Sequence, residues 1–139
     1  MNNKGFTLIE LIATIALLAI IAVIAFVSIG KVIEHSKVTN CNSLVESIEK
    51  AAMEYVSDHR YDSSFISSVN TSDMSYSMTA AMLVNGHYIN GELINPFTKE
   101  SIATNTVQLT IYLNDDYTAK SVQIVAPVVL KTCTSNNGG

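Results

Sequence analysis

Glu10 is the residue whose surroundings most demand an explanation, because it stands directly before Leu11–Ile29, nineteen residues without a charge. An ionised carboxylate at the head of so apolar a run is costly, and such groups mark a function or a charged partner. An ammonium group would suit it; taken alone, a side chain snorkelling to an interface would serve as well. The other reactive side chains do not form a site. Cys41 and Cys133 lack zinc-type spacing, and an even count outside the cytosol favours a disulfide. His35, His59 and His87 lie far apart with no HxxxH pairing and read as solvated or helix-end residues. Asp115 and Asp116 match no EF-hand pattern, and consecutive aspartates in a hairpin usually turn the chain. Asn70-Thr71-Ser72 fits a glycosylation sequon, but in a Ser/Thr-rich stretch so short a match is assigned no role. With no GxSxG, no Gly-rich phosphate loop and no Cys/His pair, neither catalysis nor a cofactor or metal is expected.

The elements that hold Glu10 are written in the first thirty residues. Met1–Gly5 is a short polar leader with one lysine, followed at once by Phe6-Thr7-Leu8-Ile9-Glu10 and then the apolar run. A secretory signal would place its cleavage site after the apolar region, whereas the one candidate junction, Gly5-Phe6, precedes it. Cleavage there leaves the hydrophobic segment on the mature chain. Nineteen residues make roughly 28 Å of helix at ~1.5 Å per residue, enough for a hydrocarbon core of about 30 Å. Lys4 before the run and Lys31, Glu34 and Lys37 after it orient the segment only weakly.

Lys4-Gly5-Phe6-Thr7-Leu8-Ile9-Glu10 resembles the leader junction and mature start of type IV pilins and pseudopilins, and the likeness covers residues 4 to 29. It implies a cytoplasmic leader, removal of residues 1–5 by a prepilin peptidase after Gly5, and methylation of the new amine on Phe6. It further implies that Glu10 meets the Phe6 amine of a neighbouring subunit during docking, which offsets the desolvation of both charges. The partners it implies are identical or related subunits in a helical homopolymer, the pilus assembly machinery, and the cytoplasmic membrane before assembly. Adhesion, twitching motility, DNA uptake and secretion are all roles open to such a filament, and a membrane-anchored binding protein is the reading from another class. Many pilins carry a glycine and a proline within the apolar stretch; Ala19 and Val27 stand in those places, leaving Gly30 as the weak point.

Beyond Gly30, residues Cys41, Leu44, Val45, Ile48, Ala51, Ala52, Tyr55 and Val56 recur three and four apart and span an arc of about 140° at ~100° per residue. Glu46 and Lys50 form an i,i+4 pair on the exposed side. No proline or turn cluster interrupts residues 6 to 57, so one helix of roughly 75 to 80 Å is expected, its apolar part over residues 6–30. The head then spans residues 31–139: amphipathic helix to about 57, a connection over 58–105, antiparallel sheet over 106–132 and a flexible tail over 133–139.

Within the connection, Asp62–Thr79 reads as surface loop, and Thr79–Val84 as a short helix capped by Thr79 and ended near Gly86. The stretch through Asn95-Pro96-Phe97 resembles the middle of some Gram-positive pilins. Val107, Leu109, Ile111 and Leu113 alternate with polar residues as a strand, Asn114-Asp115-Asp116 turns, and a second strand runs over 119–126. Pro127 ends it, and 128–132 reads as a last edge strand. The class is α+β, a long N-terminal helix packed on a small antiparallel sheet. Twelve acidic residues against eight basic ones, with Lys31, Lys37, Lys50, Arg60, Lys99, Lys120 and Lys131 dispersed, leave no stripe for a phosphate backbone, so direct nucleic-acid binding is not expected.

Overall fold

A computed structural model of the chain describes residues 5–127 and 130, with the backbone alone at Val27 and Ser28. One helix, α1, runs from Leu8 to His59, 52 residues in all. Residues with good helix propensity, chiefly Leu, Ala, Glu and Lys, are spread along it, and no proline breaks its hydrogen bonds. Val27 and Gly30 both lie inside it, so helix continues through the expected weak point. Two compact units divide the chain, residues 1–36 and 37–139.

In the first unit the apolar side chains are exposed. Leu11, Ile15, Leu18, Ile21 and Ile24 all stand open, and none of the apolar window in α1 is buried. Apolar surface all round a helix is the pattern of a segment whose solvent is lipid or other helices. Among the described residues, α1 alone is long and apolar enough to cross a membrane.

In the second unit the helix becomes amphipathic. Cys41, Val45, Ile48, Ala51, Ala52 and Val56 are buried, with Leu44 and Tyr55 packed at the edge, which is the face read from the spacing. Glu46 and Lys50 form their ion pair at 2.8 Å on the outside. Against this stripe lies a three-stranded antiparallel sheet in the order β1-β2-β3, formed by β1 (Ser75–Thr79), β2 (Gln108–Leu113) and β3 (Ala119–Ala126). Tyr76 pairs with Ile111 and Met78 with Leu109, while Leu109 and Ile111 face Ile124 and Val122 on the other side. These cross-strand pairs put the larger apolar side chains on the core face, as period-two alternation requires.

Strand β1 is a departure from the expected loop over 62–79. The polar crowding there hid an alternation: Tyr76 and Met78 are buried and Ser77 is exposed. Before it, Ser63–Ser68 forms a short helix, α2, anchored by buried Phe65. After it, α3 (Ala80–Asn85) starts at Thr79 and ends at Gly86 as expected, but the Thr79 side chain makes no capping hydrogen bond. The β2–β3 turn is closed by Asn114 N–H to the Thr118 carbonyl and Tyr117 N–H to the Asn114 carbonyl. Of the last expected strand, residues 128, 129, 131 and 132 lie outside the described residues, as do the leader residues 1–4 and the tail. Leu130 is fully buried, and its N–H bonds to the Pro127 carbonyl, a helical rather than a strand contact.

Candidate functional site: the processing and assembly segment

Gly5, Phe6 and Thr7 precede α1 and are not helical. Phe6 is 86% exposed, so the Gly5–Phe6 peptide lies in open chain two residues ahead of the helix. No other part of the described chain approaches the position a Gly5 Cβ would take.

Thr7 and Glu10 close the start of α1 together. The Thr7 N–H and Oγ1–H both donate to Glu10 Oε2, at 2.9 and 3.1 Å, and the Glu10 N–H donates to Thr7 Oγ1 at 3.4 Å. This is a capping box: Thr7 occupies the cap position and Glu10 the third helical residue, each satisfying an amide that the first turn leaves open. The carboxylate also sits at the positive end of the helix dipole. Sequence reasoning missed Thr7, although Thr-x-x-Glu before an apolar run is the recognised signature. Every atom of the box lies C-terminal to the Gly5–Phe6 bond, so a cut at that bond would leave these residues in place and add an ammonium group one residue upstream.

Among the described residues, the other candidates have surroundings of their own. Cys41 is fully buried in the head core, and Cys133 lies outside the described residues. His59 ends α1, stacked on Tyr55 at 4.1 Å with Nδ1 2.8 Å from the Tyr55 carbonyl, while His35 and His87 are exposed. Asp116 Oδ1 accepts from Thr118 Oγ1 at 2.6 Å and from Thr118 N at 3.1 Å, which holds its carboxyl below the usual range and ties it to the turn. Asn70 Oδ1 caps its own turn through the Ser72 N–H. Among the described residues no group of three or more His, Cys, Asp or Glu side chains could hold a metal ion.

Residues 1–26 match the family model of the prokaryotic N-terminal methylation motif. No curated protein and no solved structure matches the chain. Together with a long apolar N-terminal helix and a small antiparallel sheet, the motif supports a prepilin-type precursor, processed by prepilin peptidase and similar to type IV pilins and pseudopilins.

Proposed function

We propose that the chain is a structural subunit of a type IV pilus, assembled through its N-terminal helix into an extracellular filament. The observation that carries this is the order at the N-terminus: an open Gly5–Phe6 junction, a capped carboxylate in the first turn, then a helix whose apolar side chains stay exposed. Cleavage at Gly5 keeps that helix on the product, and a polymer of such helices buries what the lone subunit exposes. Glu10 pairs with the Phe6 amine of a neighbour in that polymer, so the carboxylate has a local partner before docking and a charged one after it. A Gly5→Val precursor should accumulate uncleaved in the membrane, and electron microscopy with an antibody to the head should show no labelled filaments. Labelled filaments at normal number in that variant would overturn the reading.

The head of this subunit is closed by a disulfide between Cys41 and Cys133. Burial of Cys41 on the helix face that packs against the sheet supports the pairing, as does an extracytoplasmic address. A bridge over a loop of about 90 residues contributes on the order of 4–5 kcal/mol in the chain-entropy view. Thiol labelling of the native protein should modify neither cysteine without reductant, and labelling of both would refute the bridge.

A further inference from the structure

Two Asn-Gly pairs lie among the described residues, and the fold treats them differently. Asn85-Gly86 ends α3: Asn85 is the last helical residue, and the Gly86 N–H is engaged with the Met82 carbonyl at 3.0 Å. A Cβ at Gly86 would come within 2.8 Å of the Tyr88 ring, so this turn is also sterically closed. Asn90-Gly91 lies in exposed, irregular chain after α3. Gly91 has φ +91°, open space on its Cβ side, and an N–H with no acceptor among the described residues; the Asn90 side chain likewise has no hydrogen-bond partner there.

We propose that Asn90 is a spontaneous deamidation site, so that the head acquires negative charge with age. The Gly91 amide nitrogen, on losing its proton to hydroxide, attacks Asn90 Cγ. The new N–Cγ bond closes a five-membered succinimide, and the Cγ–Nδ2 bond breaks to release ammonia. Water then opens the ring at either carbonyl, giving aspartate or the isoaspartyl linkage. The net change is one water taken up and one ammonia lost, with no oxidant or reductant. Ring closure needs a nitrogen free of other bonds and a following residue without a side chain to obstruct the approach, and Gly91 offers both. At Asn85 the same reaction must first break the Gly86–Met82 hydrogen bond and unwind the end of α3.

The product has a definite neighbourhood. Glu92 follows directly and, with Ile94, Pro96 and Lys99, lines an open groove beside Asn40, Ser43 and Ser47 of α1. Deamidation therefore places a second carboxylate beside one rim of that groove, and the isoaspartyl form also adds a methylene to the backbone of the turn.

The test is peptide mapping of the detergent-solubilised full-length chain after incubation in mildly alkaline buffer, folded and in denaturant. In the folded protein the Asn90 peptide should gain about one dalton, and convert roughly tenfold or more faster than the Asn85 peptide, a rate ratio equivalent to a small barrier difference. In denaturant, where neither amide is held, the two should convert at comparable rates. Asn90→Gln should remove the fast conversion while leaving the Asn85 rate unchanged. Equal rates at Asn85 and Asn90 in the folded chain would overturn the proposal, as would an Asn90 that converts only after unfolding.

Discussion

The Glu10 carboxylate caps α1 in the structure and has a second use in the proposed filament, and the two can be separated by substitution. As the third residue of α1 it accepts two hydrogen bonds from Thr7, which needs an acceptor oxygen but no charge. As the proposed partner of a Phe6 ammonium it needs the charge, since an unpaired buried ion costs several kcal/mol. Glu10→Gln keeps an acceptor and removes the charge, so insertion and cleavage should be normal while surface filaments disappear. Thr7→Val keeps the charge and loses the hydroxyl part of the cap, a change of about 1 kcal/mol, and should leave filaments in place. Quantifying precursor, mature protein and filaments in both variants checks this, and Glu10→Gln cells with normal filaments would contradict charge pairing. Glu10 was legible from its place before the apolar run. Thr7 was legible too, but only to a reading that asked which groups satisfy the first-turn amides.

At the scale of elements, the strongly periodic segments were readable and the polar ones were not. The helical stripe from Cys41 to Val56 and the strand alternation around Leu109 and Ile111 repeat often enough to reveal the buried face. Strand β1 has five residues, three of them Ser or Thr, and its two large buried side chains acquire meaning only through Ile111 and Leu109 on the neighbouring strand. The aromatic cluster escaped for the same reason, since its members come from separate elements. Tyr55 of α1 stacks on His59 and meets Tyr88 edge-on at 5.5 Å, and Phe65 of α2 packs on Tyr76 of β1 at 4.7 Å. Tyr88 donates its hydroxyl proton to Asp58 Oδ2 at 2.8 Å, and this bond pushes its pKa up to about 12; burial first, then the neighbouring Tyr55, does the same for Tyr76.

A raised tyrosine pKa has a definite sign. The folded state holds these protons more tightly than the unfolded chain, whose tyrosines ionise near ~10. The stabilisation is therefore complete below that pH and is lost as pH rises towards about 12. Asp58→Asn removes the negative acceptor, so Tyr88 should ionise at lower pH. Following tyrosinate absorbance in the wild type, Asp58→Asn and Tyr88→Phe checks this, and an Asp58→Asn titration curve identical to the wild type would contradict the assignment.

The whole molecule combines two units with opposite relations to water. Residues 37–139 bury a core of helix and sheet, whereas residues 8–33 of α1 expose one large apolar side chain after another. Water is a poor solvent for the second group, and the proposed passage from a membrane to a filament core would supply the two apolar environments that a cleaved but still hydrophobic N-terminus requires. Both the charge pairing and the filament core depend on the proposed cleavage, because removal of residues 1–5 would create the ammonium group Glu10 is proposed to meet and would keep the apolar helix on the product. The most direct measurement is the mass of the N-terminal peptide from filaments sheared off the cell surface. The account predicts a peptide beginning at Phe6 with one added methyl group on its amine. Surface material that still begins at Met1, or that begins beyond the apolar run, would contradict it.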